Sequence, residues 1–564
     1  MKRLIECVPN FSEGNDMGVI KLITDEIEAV DGVKLLDVDP GKATNRTVVT
    51  FVGEPEPVLE AAVRCVRKAA ELIDMSKHSG EHPRFGATDV CPLVPITGVT
   101  MEETVEYARK LARRLGEEVG ISVFCYENAA LIEERRNLAV VRAGEYEGLK
   151  DRLTDPRWKP DFGPATFNAG SGATAVSARD FLIAYNVNLN TTSTRRANAI
   201  AFDVREKGRI KLEGNPLTGS VVKDENGEPV WEPGSLKSVK GIGWFIEEYG
   251  VCQISMNLTN IKITSLHAAF DEVKVKSEAR GIRVSGSELV GLVPLEAMLD
   301  AGRYFLRKQE RSTGIANSEL IKIAVKSMGL DDLKPFVPEE RIIEYCIAAE
   351  NKEQRLVDLT LEGFTLETAS ESAAPGGGSV AAALGALGAA LGTMVANLSA
   401  HKRGWDDRWE EFSDWAEKGK AIHSQLTWLV DEDTNAFNGI MAAFRLSAGN
   451  DAEKADRDEA IQAATRYAIE IPLRVMESAL ASMELIRAMT EKGQPSSISD
   501  AGVGALCARS AVLGAWLNVK INSQDLADRS VAEDYLKRGE AMAEEVQRAE
   551  DEVLAMVERV MTAG

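Results

Sequence analysis

"AAPGGGSVAAALGALGAALGTMVANL", Ala373–Leu398, opens with a proline and three glycines and runs into an apolar stretch of nearly membrane-spanning length. A membrane span is disfavoured. The stretch is built from weakly apolar Ala and Gly and carries Asn397, and it is followed by "HKRGWDDRWEE", which bears both signs of charge. A phosphate loop requires Lys-Ser/Thr after its last glycine, whereas Ser379 is followed by Val380. What remains is a buried central helix. Gly385, Gly388 and Gly392 are spaced three and four apart and share one face, where neighbouring backbones can approach closely. The Gly376–Gly378 turn in front leaves free N–H groups at the positive helix end, and Ser379 is expected to cap it.

The 564 residues exceed what one hydrophobic core supports, so two or three domains are expected. Hydrophobic residues at 44% and charged residues at 27% are ordinary for a globular protein. A net charge of −22 argues against non-specific nucleic-acid binding, which needs a basic face. Seven cysteines without CxxC pairing read as reduced thiols, and the start "MKRLIECVPNFSEG" has too short an apolar core for a signal peptide. Both point to the cytoplasm.

Up to about residue 330, short β-branched runs alternate with amphipathic windows. "RTVVTFVG" (Arg46–Gly53) reads as a strand, and Glu56–Met75 reads as a helix with Val58, Ala61, Ala62, Cys65, Val66, Ala69 and Leu72 on one face. The same alternation returns with "FLIAYNVNL", "VCQISMNL" and "GIRVSGSELVGLVP". Two α/β sandwich subdomains, 1–180 and 181–330, fit best. "EGNPLTGSVVKDENGEPVWEPGS" (Glu213–Ser235) reads as an exposed hairpin insertion, and 331–341, with two prolines, as a linker. From 342 to 564 the composition is that of an all-α helical bundle.

Several long motifs in one order resemble a known family. "LIECVPNFSEG", "LLDVDPGKATNRTVVTFVG", "DMSKHSGEHPRFGATDVCPLVP", "RAGEYEGL", "DFGPATF" and "GSELVGLVPLEAMLD" are similar to glutamate formimidoyltransferase. "ESAAPGGGSVAAALGALGAALGTMV" followed by "LVDEDTNAF" is similar to formimidoyltetrahydrofolate cyclodeaminase. Together they resemble the fused formimidoyltransferase-cyclodeaminase family over essentially the whole chain. The resemblance implies a bifunctional folate enzyme of histidine degradation. It would transfer a formimidoyl group between N-formimidoyl-L-glutamate and tetrahydrofolate, then cyclise the product to 5,10-methenyltetrahydrofolate with loss of ammonia. It also implies tetrahydrofolate and its polyglutamates as co-substrates and a homo-oligomer. No metal is expected, because the five histidines lack ligand spacing.

Transfer to an amine nitrogen needs a base near neutrality. His82 lies in "SGEHPRFG", where Pro83 holds it extended and Lys77, His78 and Arg84 make the surroundings basic, suited to carboxylate substrates. The resemblance carries the family's catalytic histidine onto His82, with His78 the fallback. It carries folate binding onto Gly163, Pro164, Ala165, Thr166, Phe167, Asn168, Ala169, Gly170, Ser171 and Gly172. There the glycines permit close approach and Phe167 can pack on a flat ring. Arg205 and Arg209 are candidate partners for a glutamate tail.

Ammonia leaves only when protonated, which calls for a carboxyl group in a partly apolar place. On "AIHSQLTWLVDEDTNAFNGIMAAF", Asp433 falls on the stripe Leu426, Leu429, Val430, Phe437, Ile440, Met441 and Phe444. Asp431 falls on a mixed face. Asp433 is the expected acid/base and Asp431 the fallback. Gly376, Gly377, Gly378 and Ser379 are expected at the pocket mouth, with Asn518 and Asn522, four apart on one helix face, lining the pocket. Two alternatives stay open: the same fold acting on 5-formyltetrahydrofolate, or a folate-binding scaffold without catalysis.

Overall fold

Alternation in β1 (Leu4–Cys7) sends Ile5 and Cys7 into a core under three helices and Glu6 to the opposite face. The computed structural model describes residues 3–42, 44–80, 83–214, 219–348 and 355–563. The first subdomain continues with β2 (Asn10–Phe11), α1 (Met17–Glu28), β3 (Val33–Gly41), β4 (Arg46–Gly53), α2 (Pro55–Leu72) and β5 (Thr88–Thr97). Then come α3 (Met101–Arg114), β6 (Ser122–Glu127), α4 (Leu138–Val141), α5 (Glu145–Arg152) and β7 (Ala173–Ala178). β1 and β2 are two pieces of one line between β4 and β5, all antiparallel, while β6 and β7 extend the sheet beyond β5 by parallel pairing. The expected stripe of α2 is buried from Val58 to Ala69, and Leu72 is 39% exposed.

The second subdomain runs β8 (Ile183–Leu189), α6 (Thr194–Val204), β9 (Arg209–Ile210), β10 (Leu212–Glu213), β11 (Ser220–Val221) and β12 (Trp231–Glu232). It continues with β13 (Val239–Ile246), β14 (Val251–Leu258), α7 (Leu266–Glu278) and β15 (Val284–Val290). Its antiparallel sheet has the order β13-β14-β8-β15. The insertion forms two small ladders, β10 with β11 and β9 with β12. Helices α8 (Leu295–Arg307), α9 (Asn317–Met328), α10 (Pro338–Arg341) and α11 (Ile343–Ala348) follow. The segment expected as a linker, 331–341, carries α10, and Ile342 just beyond it bridges to Val293. Two compact units result: 1–298 with 325–351, and 299–324 with 352–564.

The helical unit contains α12 (Leu361–Thr368), α13 (Gly377–Ala400), α14 (Trp409–Phe444), α15 (Asp451–Lys492), α16 (Ile498–Asn522) and α17 (Arg529–Ala563). α13 is its centre, packed on α14, α15 and α16. Its glycines do what their spacing predicts. A Cβ on Gly388 would lie 2.8 Å from the Gly504 carbonyl oxygen, and one on Gly385 would lie 3.2 Å from Ala511. Larger residues would force α16 away and leave voids in a core that tolerates few. α13 and the stretch Pro495–Asn522 are long and apolar enough to cross a bilayer, and 56% and 44% of their most apolar windows are buried inside the protein.

Candidate active sites

In the helical unit, the glycine turn, the acid and the two carboxamides meet in one cavity of about 150 Å3. Gly376, Gly377, Gly378, Asp433, Thr434, Phe437, Asn518 and Asn522 all line it. Helix α13 begins at Gly377, with Gly376 as its N-cap. Ser379 therefore stands inside the first turn, and it does not cap the helix as the sequence led us to expect. Its hydroxyl donates to Asp433 Oδ2 at 3.0 Å instead. The reason for glycine at 378 is steric: a Cβ there would sit 2.1 Å from Asp433 Oδ1. Only a bare backbone lets the carboxylate approach the positive end of α13 so closely.

Burial raises the Asp433 carboxyl above the ordinary aspartate range, and hydrogen bonds from Ser379 pull the other way. Its proton affinity is thereby moved toward neutrality while the ionised form keeps donors aimed at it. Asn518 donates to the Gly514 carbonyl at 3.0 Å and Asn522 to the Ala468 carbonyl at 2.8 Å, which fixes both carboxamides at the wall. Asp431 is committed elsewhere, accepting from the Leu356 N–H at 2.6 Å, and it does not line the cavity. Asp431→Asn is expected to cost roughly 1 kcal/mol of stability and to leave cyclodeaminase turnover within about twofold of the parent. Denaturant titration and a turnover assay check both.

The apolar stripe of α14 is buried only in part. Leu426, Leu429 and Val430 are in the core, but Phe437, Met441 and Phe444 are 43%, 40% and 57% exposed. Periodicity identifies a face but not how far along it the neighbouring helices reach.

In the α/β unit, His82 lies outside the described residues. Its flanks are held firmly. His78 Nε2 lies 2.8 Å from the Asn45 carbonyl, and Arg84 Nε donates to Nδ1 at 3.3 Å, so both ring nitrogens of the fallback base are engaged. Arg84 in turn pairs with Glu147 at 2.7 Å and Glu145 at 3.1 Å. The 163–172 loop brackets the same segment: Met75 N–H donates to Gly170 O and Ala87 N–H to Ser171 O, each at 2.8 Å. Phe167 packs on Tyr146 with centroids 5.6 Å apart, and Asn168 Oδ1 accepts from the Gly170 and Ser171 N–H groups. Gly163 has φ +79° and lies against the Ile121 carbonyl, so this glycine serves the protein's own backbone. The buried hydroxyls of Ser171 and Thr88 have no hydrogen-bond partner among the described residues, a condition that a ligand or water relieves.

The face of the first sheet turned away from α1–α3 carries polar groups that the sequence reading missed. Asp89 is fully buried, accepts from the Phe85 N–H at 3.2 Å and faces Arg142 at 3.4 Å. Arg46 bonds Asn10 on the same face. Glu6 stands buried there, and desolvation, opposed by Arg179, pushes its carboxyl up to about 7. The available signal was a single polar residue between core residues of a strand, as in Ile5-Glu6-Cys7. Arg205 and Arg209 are not brought to this face. Their hydrogen-bond partners lie in the second subdomain, at Gly208, Gly241 and Ala199. Among the described residues no group of His, Cys, Asp and Glu is placed to hold a metal ion.

An α/β unit with a basic segment beside a glycine loop, joined to a helical unit with a pocketed carboxyl group, defines a two-site enzyme. The family described as "Formiminotransferase domain, N-terminal subdomain" matches residues 4–179, "Formiminotransferase domain" matches 184–348, and "Formiminotransferase-cyclodeaminase" matches 360–541. The formimidoyltransferase-cyclodeaminase of Mus musculus is 43% identical over 528 residues, 94% of each chain. The glutamate formimidoyltransferase of Thermoplasma acidophilum is 42% identical over 54% of this chain and 92% of its own. The methenyltetrahydrofolate cyclohydrolase of Methylorubrum extorquens is 37% identical over 33% of this chain and 89% of its own. The chain belongs to the formimidoyltransferase-cyclodeaminase family.

Proposed function

We propose that the α/β unit transfers the formimidoyl group from N-formimidoyl-L-glutamate to N5 of tetrahydrofolate, and that the helical unit converts the product to 5,10-methenyltetrahydrofolate and ammonia. The placement of Asp433 against the start of α13, inside a cavity walled by carboxamides, carries the second half of this proposal. N10 attacks the amidinium carbon and a tetrahedral intermediate forms. The ionised Asp433 carboxylate takes the N10 proton and delivers it to the exocyclic amine. The C–N bond then breaks, ammonia leaves, and the positive charge resides on the N5–CH–N10 bridge. One carboxyl group thus serves as base and then acid and ends each turn as the anion, which the Ser379 hydroxyl stabilises by its hydrogen bond. In the transfer step His82 is the base that removes the N5 proton as it attacks, and residues 163–172 hold the folate.

The test is the purified protein with N-formimidoyl-L-glutamate and tetrahydrofolate, following methenyl absorbance and ammonia together. His82→Ala is expected to lose the coupled reaction by at least about 100-fold while still cyclising supplied 5-formimidoyltetrahydrofolate. Turnover of 5-formyltetrahydrofolate in its place, or folate binding without turnover, would overturn this assignment.

The assembly is a homo-oligomer in the cytoplasm, bound neither to nucleic acid nor to a membrane. Cytoplasmic location is supported by seven cysteines, none in a disulfide. Oligomerisation is supported by the size and rim of the cyclodeaminase pocket. A volume near 150 Å3 is below the roughly 300–1,000 Å3 of sites that enclose such ligands. Phe437, which lines it, is 43% exposed, and Leu517 and Ile521, each one residue before a lining carboxamide on α16, are 62% and 61% exposed. A second copy covering this rim would complete the site. Leu517→Glu with Ile521→Glu is expected to reduce the assembly in sedimentation equilibrium; an unchanged mass would refute this choice of face.

A further inference from the structure

The insertion between β9 and β12 supplies no residue to either proposed reaction. Helix α6 buries Ala197, Ile200, Ala201 and Val204 against the second sheet. Its outer side carries Arg195 and Phe202, and the ladders of the insertion arch over that side. Together they enclose a cavity of about 490 Å3, within the range of small-molecule sites. Three arginines line it, Arg195, Arg205 and Arg209, and among the described residues no carboxylate is in the lining, Asp203 behind Arg209 being shared between Arg209 and Arg280. In a chain of net charge −22, a lining of that sign is selective for an anion. The rest of the wall is apolar and aromatic, including Phe202, Val221 and Trp231. The planar groups are held in place. The Arg205 guanidinium lies 4.0 Å from the Phe202 ring centroid and is fixed by the Gly208 and Gly241 carbonyls at 2.9 and 3.3 Å. Lys207 lies 4.4 Å from the Trp231 centroid. Arg209 bonds the Ala199 carbonyl at 3.2 Å and pairs with Asp203, which Arg280 also approaches. Fixed guanidinium planes beside aromatic faces match a flat ring that bears a carboxylate.

We propose that this cavity is a second ligand site on the α/β unit, built by the insertion, for a flat organic carboxylate. It is separate from the catalytic faces, because α6 and its sheet lie between the cavity and the other side of that sheet.

The probe is 1-naphthoate, with neutral 1-naphthylmethanol as its control, titrated by tryptophan fluorescence against the full-length protein. The expected result is saturable binding of the naphthoate, at least about tenfold tighter than the alcohol, with most of the signal lost in Trp231→Phe. Val221→Trp, at a position 44% exposed, fills the cavity without removing a charge and is expected to weaken naphthoate at least about tenfold. Arg195→Gln, in the first turn of α6, is expected to weaken naphthoate and leave the alcohol unchanged. Equal affinity for the two probes, an unchanged titration in Val221→Trp, or no saturable binding would each overturn the proposal.

Discussion

Asp433→Asn is expected to lower cyclodeaminase turnover by about 100- to 10,000-fold, the range over which a positioned proton-transfer group acts, while transferase activity stays at the parental level. The substitution is isosteric and Asn still accepts from the Ser379 hydroxyl, so the pocket keeps its shape. The pH dependence has a definite sign. The parental carboxyl titrates above the ordinary aspartate range because it is buried, and in the proposed cycle it acts first as its ionised form. Cyclodeaminase kcat/KM is therefore expected to fall as pH drops through that raised pKa, and Asp433→Asn to lose this acid limb. Stability runs the other way. A buried acid with a raised pKa favours folding when protonated, so that contribution is lost as pH rises from the unfolded-state pKa through the folded one. Asp433→Asn is expected to be at least as stable as the parent at neutral pH, measured by denaturant titration. Activity loss without stability loss separates a catalytic group from a structural one.

Gly378→Ala is expected to remove most cyclodeaminase activity while leaving the fold intact. Helix propensity alone favours the change, since Ala in a helix is about 1 kcal/mol better than Gly. The new Cβ, however, would fall 2.1 Å from Asp433 Oδ1 and 2.5 Å from its Cγ. The carboxyl group has to swing away, because the end of a short side chain yields more cheaply than two packed helices. Displacing the group by an ångström or more costs on the order of 100-fold. The expected outcome is a turnover loss of that size with an unchanged or slightly raised denaturation midpoint. Full activity in Gly378→Ala would mean that the carboxyl need not lie against the start of α13.

Much of this was legible from residue spacing. The glycines at 385, 388 and 392 specify a helix that others approach closely: α16 meets the first two with Gly504, Ala508 and Ala511, and α15 meets Gly392 with Leu485 and Ile486. The position of Asp433, three after Val430, separates it from Asp431, and the structure makes the same separation with a cavity and a main-chain bond. The failures have physical causes. Ser379 was expected to cap because Ser favours that place, but the cap falls three residues earlier, at Gly376, and the hydroxyl finds a better partner in a buried carboxylate. Phe437, Met441 and Phe444 share the period of the core residues and still stand exposed, because helical period carries no information about where neighbours end. Asp89 and Arg142 come together from β5 and the end of α4, and Glu6 of β1 meets Arg179 from beyond β7, tertiary coincidences that local pattern does not encode. The basic character of "SGEHPRFG" was apparent, but that Arg84 spends its charge on Glu145 and Glu147 was not.

The separation of two chemistries at named residues of one chain is the behaviour expected of this enzyme. It is tested most directly by giving the Asp433→Asn enzyme N-formimidoyl-L-glutamate and tetrahydrofolate and analysing the folates by chromatography. The expected result is accumulation of 5-formimidoyltetrahydrofolate with stoichiometric glutamate, and neither ammonia nor 5,10-methenyltetrahydrofolate above the non-enzymatic rate. Methenyltetrahydrofolate appearing at the parental rate would contradict the assignment of Asp433.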